Sequence, residues 1–271
     1  MKYQHHLIVI AIVIMRLFNT IKRYTIYSLT AVFLMVPFQK SDAQSAETIV
    51  DSLEAAMEGE SSYAEMIMTI ERPRYSRDVS MKAWALGDEY SLILITAPAR
   101  DEGTTYLKRE NEIWNYVPSI DRTLKMPPSM MSQSWMGSDF TNDDLVRETT
   151  IRDDYEHSIV SEEEYNGRNA WVLELVPKPN TPIVWGKVNI WVDKQHYILL
   201  REEQYDQSNE LANTVAFSDI RVMDGKTFPA KMTLIPADEP GHKTIMEYRE
   251  LDFDIDIDPS FFTRQNMRRV R

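Results

Sequence analysis

The strongest constraint on the fold is a succession of short, strand-like segments that runs from residue 63 to residue 253. Each segment is rich in β-branched and aromatic residues, and turn-forming residues separate it from the next. The pairs Gly87-Asp88, Asn166-Gly167 and Asp224-Gly225 have the composition of hairpin turns. Long helices of the βαβ kind do not separate the segments, so the pattern predicts a large, curved antiparallel sheet or barrel. The predicted strands are 63–71, 78–86, 90–97, 104–109, 112–117, 157–165, 169–177, 187–193, 197–205, 214–223, 227–236 and 243–253.

A helix is predicted before the first strand, over residues 45–58. Ile49, Leu53 and Met57 recur every four residues and form one apolar stripe, with Ser45 in the position of an N-cap. The helix is therefore expected to lie on the sheet. No Gly/Ser-rich linker divides residues 44–271, so this part of the chain is predicted to form a single domain.

The segment 127–147 breaks the strand pattern and is predicted to contain one or two short helices. It starts with Pro127-Pro128, and Asp143-Asp144 has the composition of a helix start. Its centre is rich in methionine around Trp135, and methionine lines surfaces that adapt to varied apolar partners. Such a helix could be a deformable lid over a cavity, and it could equally be a plug that fills the core.

The first 43 residues have the layout of a secretory signal peptide. Two apolar runs flank the basic residues around Lys22, and small residues at Ser41 and Ala43 have the spacing of a cleavage site. Met15 would give a cleaner start than Met1, and an N-terminal membrane anchor stays open as an alternative. We therefore expect residues 44–271 to be exported as a soluble, acidic protein.

Composition excludes several classes of function. The chain contains no cysteine, which removes thiol catalysis, cysteine-bound zinc, iron–sulfur clusters and a lipid anchor on an N-terminal cysteine. The formal net charge is −12, and removal of a leader with five basic residues and one acidic residue would leave −16. Nucleic-acid binders normally carry a basic surface, so nucleic acid is not an expected partner.

Several predicted strands are apolar on both faces. Leu92 and Leu94 point to one side of their strand while Ile93 and Ile95 point to the other. Such strands are covered on both sides, or they are covered on one side and line a cavity on the other. An apolar cavity in a β shell suits a hydrophobic ligand, and ordinary core packing is the alternative.

The sequence shows no catalytic or metal-binding constellation. His157, His196 and His242 are far apart, and the chain contains no G-x-S-x-G elbow and no glycine-rich phosphate loop. We therefore expect a protein that is not an enzyme and needs no cofactor.

Two charged runs near the C-terminus are predicted to be solvated. Four aspartates alternate with apolar residues over 252–258, but Ile257 and Thr263 stand where a calcium loop needs glycine and glutamate. This run is predicted to be a strand with an acidic face. The arginines of 264–271 are predicted to form a solvated tail.

Four motifs carry a resemblance to a known family. They are Gly103-Thr104-Thr105-Tyr106-Leu107-Lys108, Ile113-Trp114-Asn115-Tyr116-Val117-Pro118, the run from Met136-Gly137-Ser138-Asp139-Phe140 to Leu145, and Asp258-Pro259-Ser260-Phe261-Phe262-Thr263. With them the chain resembles the outer membrane lipoprotein-sorting protein family, which is LolA-like, and its branch typified by a treponemal lipoprotein. The resemblance covers 47–267. It implies a mainly β fold in which a strongly curved antiparallel sheet, an incomplete β-barrel, is closed by a few helices.

The resemblance also implies a function. LolA-like proteins are periplasmic carriers that shelter the acyl chains of lipoproteins or lipids on the way to the outer membrane. A transporter of the resistance–nodulation–division type or an outer-membrane acceptor is implied as a partner. The alternative is a periplasmic sensor or accessory domain of a transporter, which binds a lipid signal or a partner protein.

Ten residues are predicted to bound the apolar cavity or to form its lid. They come from the apolar strands and from the methionine-rich segment, and they are Met66, Met68, Leu92, Leu94, Trp114, Tyr116, Met130, Met131, Trp135 and Met136. A loose cavity lined by such residues would hold an acyl chain and still release it.

Overall fold

The computed structural model describes residues 44–110, 112–142, 144, 150–181 and 183–270. The predicted signal peptide, 1–43, and the start at Met15 lie outside the described residues. Within the described part of the chain, none of the helices is long and apolar enough to span a bilayer.

In the described part of the chain, the fold consists of thirteen strands and two helices. The helices are α1 (Ala46–Met57) and the single-turn α2 (Ile151–Asp154). The strands are β1 (Ser61–Arg72), β2 (Tyr75–Leu86), β3 (Tyr90–Ala97), β4 (Thr105–Arg109), β5 (Glu112–Val117), β6 (Arg122–Lys125), β7 (Tyr155–Tyr165), β8 (Arg168–Pro177), β9 (Lys187–Asp193), β10 (Leu199–Tyr205), β11 (Leu211–Met223), β12 (Lys226–Pro236) and β13 (Lys243–Phe253). Short 3-10 turns occupy Pro118–Ile120, Pro128–Met130, Pro259–Phe261 and Asn266–Arg268.

All strands belong to one antiparallel sheet with the order β6-β5-β4-β3-β2-β1-β13-β12-β11-β10-β9-β8-β7. The sheet consists of two meanders, β1–β6 and β7–β13, which are joined where the first strand pairs with the last. β6 and β7 are the two edges, so the sheet is not closed. The predicted incomplete antiparallel barrel is thereby confirmed.

The hairpin turns follow from their residue types. Asn166 and Gly167 have φ angles of 51° and 79°, and Asp224 and Gly225 have 44° and 77°. Two consecutive residues with positive φ form the turn whose twist matches that of the flanking strands, which explains the preference for Asn-Gly and Asp-Gly. These two predicted hairpins are confirmed, and β7–β8 and β11–β12 pair on either side of them.

The two faces of the sheet carry different covers, and we name them accordingly. The helix face carries Ala64, Met68 and Ile70 of β1, and the tail face carries the side chains that alternate with them. On the helix face, α1 buries Ile49 and Leu53 against an apolar layer from β7, β8 and β9. That layer consists of Tyr155, Trp171, Leu173, Leu175, Val188, Ile190 and Val192.

The described part of the segment between β6 and β7 is mostly irregular, and of the one or two short helices predicted there it contains one, the 3-10 turn Pro128–Met130. Before residue 143 its regular structure is the 3-10 turn Pro128–Met130 and an isolated bridge between Ser134 and Thr141. The predicted helix start at Asp143 lies partly outside the described residues. The segment presses Trp135 onto the helix face, where the indole is 1% exposed.

The C-terminal residues pack on the tail face, so the predicted tail is not free in solution, although Arg264, Arg268 and Arg269 are exposed as predicted. Phe262 and Met267 are buried against Leu92 and Leu107 of β3 and β4. The predicted acidic strand is also shorter than expected, because β13 ends at Phe253. The aspartates that follow serve the loop backbone: Asp254 accepts from the Glu60 amide at 2.9 Å, and Asp258 accepts from the Ser260 amide at 2.7 Å.

Candidate ligand site on the helix face

Two elements cover parts of the helix face: helix α1, which we name the α1 plug, and the segment from Trp135 to Phe140, which we name the Trp135 plug. The strand register shows that both lie on the same face of the sheet. Residues directly opposite one another in an antiparallel sheet point to the same face. The register joins Met68 to Met246, then to Met232 and Phe217. Two residues along β11, Val215 pairs with Glu202, which pairs with Ile190, which pairs with Leu173. The Trp135 plug therefore lies at one end of this row of side chains and the α1 plug at the other.

An apolar strip lies between the plugs and is only half-buried. Met66 packs against both the Trp135 cluster and a second cluster around Phe228. Met232 borders the first cluster, and the Tyr248 ring meets the Phe228 ring edge to face at 5.3 Å. We use the name central strip for the five half-buried residues Met57, Met66, Phe217, Met232 and Tyr248. Three of the five are methionine, whose flexible side chain fits varied apolar shapes.

Two titratable side chains in or beside this strip have raised pKa values. Burial raises the pKa of the Tyr248 hydroxyl, and burial is also the largest cause of the raised pKa of Glu202. Both side chains nevertheless keep some accessible surface. The centre of the helix face therefore combines half-buried apolar side chains with polar groups that are partly withdrawn from water, and such a surface is one on which an apolar ligand can pack.

Glu202 heads a small polar network in these apolar surroundings. Its carboxylate accepts a hydrogen bond from Gln204 Nε2 at 2.7 Å, and Gln204 Oε1 accepts one from Asn213 Nδ2 at 2.8 Å. Its direct neighbours across the sheet, Val215 and Ile190, are both buried and apolar. The network is the polar end of an otherwise apolar region.

The Trp135 plug is fastened to the sheet by a buried ion pair. Arg72 Nη2 lies 2.9 Å from Asp139 Oδ1, and Arg72 Nη1 donates to Oδ2 at 3.1 Å. Thr244 Oγ1 donates to Asp139 Oδ2 at 2.6 Å and accepts from the Asp139 amide at 2.9 Å. The guanidinium also donates to the Gly137 carbonyl at 2.9 Å, and Arg77 donates to the Met136 carbonyl.

The Gly-Ser-Asp-Phe run is thus a structural turn that presents Trp135. Met136 and Gly137 have positive φ angles of 52° and 75°, which reverse the chain. The Trp135 amide donates to the Phe140 carbonyl at 2.7 Å, and Ser138 Oγ donates to the Trp135 carbonyl at 2.7 Å. These contacts give Ser138 a structural role in the turn.

The ten predicted cavity residues fall on both faces of the sheet. Met66, Met68, Trp135 and Met136 meet in the Trp135 cluster on the helix face. Four others lie on the tail face beneath the C-terminal residues, and these are Leu92, Leu94, Trp114 and Tyr116. Met130 is exposed and Met131 is half-buried. A ligand held on the helix face would be separated from the tail-face residues by the sheet itself.

Sequence reasoning named Met66 of the central strip and missed its other four members and the neighbouring Glu202. Glu202 stands in the run Arg201-Glu202-Glu203-Gln204, which reads as a solvated strand end. Register shifts in β10 between Leu199 and Arg201, and in β1 between Glu65 and Met66, change the alternation that a sequence pattern follows. The half-buried methionines of the central strip were the available signal.

A concavity of about 430 Å³ lies on the tail face, between β4, β5 and the C-terminal residues. Its lining consists of Leu107, Arg109, Glu112, Trp114, Thr263, Arg264 and Gln265. The Arg264 guanidinium stands 4.6 Å from the Trp114 ring centroid. Polar and charged groups dominate this groove, so it suits an acyl chain less well than the central strip does.

One trio of side chains has the spacing of a metal site. Ligand atoms of Asp139, Glu239 and His242 lie within 4.8 Å of one another. The trio escaped sequence analysis because Asp139 is distant in the chain. It fits a metal poorly, because both carboxylate oxygens of Asp139 already bind Arg72 and one of them also binds Thr244. The guanidinium supplies the positive charge that a metal would bring.

Comparison with known proteins identifies the family and the fold. A family model with the description "Uncharacterized protein" matches residues 87–269. A DUF1329 family protein from Desulfovibrio piger superposes with a TM-score of 0.74 at 25% identity, over 82% of this chain and 97% of the other. No curated protein matches.

Two further solved structures share the fold. An outer membrane lipoprotein-sorting protein domain from Vibrio parahaemolyticus gives a TM-score of 0.72 at 24% identity, over 82% of this chain and 98% of the other. A LolA superfamily protein from Nitrosomonas europaea gives 0.68 at 20% identity, over 82% and 99%. At these identities the likeness establishes a LolA-like fold.

Proposed function

Because the chain belongs to the family whose model matches residues 87–269 and has a LolA-like fold, we propose that it is a non-enzymatic carrier of acyl chains. The cargo is a lipid or the acylated end of a lipoprotein, carried through the periplasm towards the outer membrane. The supporting observation is the central strip, where half-buried methionines and partly desolvated polar groups lie on one face of the sheet between helix α1 and the segment that carries Trp135.

The energetics support a carrier of this kind. Each methylene that leaves water contributes about 0.8 kcal/mol, so a chain of about fourteen methylenes has a gross driving force on the order of 11 kcal/mol. A carrier must offset most of that in transit and still let the cargo go. Flexible methionine walls offer burial without a rigid fit, which favours exchange over permanent capture.

The names of two proteins of similar structure support the same role. One of them is described as lipoprotein-sorting and the other as a LolA superfamily protein. Export by residues 1–43 and a transporter partner of the resistance–nodulation–division type stay predictions from the sequence. A soluble carrier without a cysteine anchor fits the composition.

Native mass spectrometry tests the proposal on full-length protein expressed with its own N-terminus and purified without detergent. We expect a stoichiometric adduct that releases acyl chains on fragmentation. An adduct-free mass, together with failure to bind the neutral apolar dye N-phenyl-1-naphthylamine, would contradict a carrier function.

A matched pair of variants tests whether the ligand binds at the central strip. Met232→Glu puts a charge on the central strip, whereas Ile235→Glu puts the same charge on an exposed side chain of the same strand. We expect the first to lower dye affinity by at least about tenfold and the second to leave it within about twofold. Met232→Trp, which fills the space without a charge, should also weaken binding. Equal effects at both positions in folded protein would contradict the helix-face site.

A further inference from the structure

Glu202 is the one described carboxylate that combines a place beside the central strip, apolar neighbours and a raised pKa. One oxygen accepts from Gln204, and in the described part of the chain no lysine or arginine forms an ion pair with it. Burying a carboxylate without a cationic partner is costly. The position therefore serves something other than the stability of the empty protein.

The network around Glu202 fixes its direction. Gln204 is held from behind by Asn213, so its amide nitrogen is committed to the carboxylate of Glu202. Both residues occupy β10 positions on the helix face, where Gln204 pairs with Val188 and Glu202 pairs with Ile190. Asn213 thus holds Gln204, and Gln204 holds the carboxylate of Glu202 in place as an acceptor for a hydrogen bond from a ligand.

The other groups that act on Glu202 are acidic or neutral. The carboxylate of Asp144 raises its pKa further, and the pKa of the Tyr155 hydroxyl is raised by burial first and by Glu202 second. The two carboxylates make a further negative charge at this place less favourable. The electrostatics therefore select a ligand head that is positively charged and carries N–H donors.

We propose that Glu202, oriented by Gln204 and Asn213, binds the ammonium head of the amphiphile whose acyl chain lies along the central strip. This inference rests on the proposed carrier function and names its ligand class. The protein should bind amine-bearing lipids more tightly than fatty acids and other anionic amphiphiles of the same chain length. The apolar strip supplies affinity, and the carboxylate supplies the choice among head groups.

Three twelve-carbon ligands test the proposal by displacement of N-phenyl-1-naphthylamine at pH 8. They are dodecylamine, dodecan-1-ol and dodecanoate, each used below the concentration at which it forms micelles. The expected order of affinity is amine, then alcohol, then carboxylate, with the amine at least about tenfold tighter than dodecanoate. This measurement needs only the wild-type chain. Equal affinities or the reverse order would overturn the proposal.

Two variants assign the preference to one carboxylate. Glu202→Gln keeps the shape and removes the charge, and it should reduce the preference for the amine to within about twofold. Glu203→Gln is the matched control, because Glu203 lies next in the chain and binds Arg201 and Tyr205 on the tail face. It should keep the wild-type order. An unchanged preference in folded Glu202→Gln protein would overturn the assignment.

Failure of this inference is distinguishable from failure of the carrier function. If the dye and all three ligands fail to bind, the carrier function is contradicted and this proposal falls with it. If all three bind with equal affinity, the apolar site stands and the role of Glu202 is contradicted.

Discussion

Replacement of Asp139 by asparagine should destabilise the protein far more than loss of an exposed ion pair. The side chains of Arg72 and Asp139 are 9% and 4% exposed, and two nitrogen–oxygen contacts of 2.9 and 3.1 Å join them. Removing one partner of such a pair leaves the other charge buried, which typically costs about 3–5 kcal/mol. Because asparagine keeps the volume and the contact with Thr244, we expect a loss of about 3 kcal/mol in the free energy of unfolding.

Urea denaturation followed by circular dichroism and tryptophan fluorescence measures this loss. The matched control is Asp51→Asn, which removes a partner of Arg152 where both side chains are about half exposed. Exposed pairs contribute about 0–1 kcal/mol, and Arg152 keeps Glu54 as a second partner. The double variant Arg72→Met with Asp139→Leu should lose less than the sum of its single variants, because no lone charge remains. A loss in Asp139→Asn no larger than that in Asp51→Asn would refute the assignment of the ion pair as the fastener of the plug.

Three further predictions follow from buried side chains and one helix cap. Trp135→Ala should lower the free energy of unfolding by about 3–5 kcal/mol in the same assay, because the indole fills the centre of a buried cluster. Ser45→Ala should cost about 1 kcal/mol through loss of the cap on the Thr48 amide, measured by thermal unfolding. Burial raises the pKa of Glu202, so its neutral form favours the folded state at low pH, and that contribution is lost as pH rises through the raised pKa. Glu202→Gln should therefore gain stability relative to wild type as pH rises above the ordinary glutamate pKa of 4.5; a difference that stays constant with pH would contradict the burial of this carboxyl.

The strands were predictable because their evidence is local. Alternating β-branched and aromatic residues, and turns such as Asn166-Gly167, act within a few positions of the chain. The strand that escaped prediction, Arg122–Lys125, is a four-residue edge strand with only Thr123 as a β-branched residue. Edge strands are often short and charged, which removes the pattern that identifies them.

The tail and the plug were harder to predict because their partners are distant in the chain. Arg264 and Arg268 read as solvated charges, yet their guanidiniums lie over the rings of Trp114 and Tyr116 at 4.6 and 5.4 Å. Arginine stacks on aromatic faces more readily than its charge suggests. The plug is likewise fixed by Arg72, which lies at the end of β1 and far from Asp139 in sequence.

The predicted site residues were likewise only partly grouped by local sequence patterns, because they lie on two faces of the sheet. Methionine content drew attention to residues of the helix face, where Met66 and Met136 meet the Trp135 cluster. The tail-face residues were grouped with them because a strand that is apolar on both sides does not reveal which side lines a space. Only the register of the whole sheet distinguishes the two faces, and bulges shift that register without a mark in the sequence.

Photo-crosslinking with a diazirine-bearing palmitate tests the central claim most directly, because it reports where an acyl chain lies. The protein is labelled under ultraviolet light and digested, and the modified residues are identified by mass spectrometry. The account predicts adducts on the central strip and its border, at Met66, Met232, Tyr248 and Glu202. Adducts confined to the tail-face groove around Trp114, or labelling no greater than that of heat-unfolded protein, would contradict it.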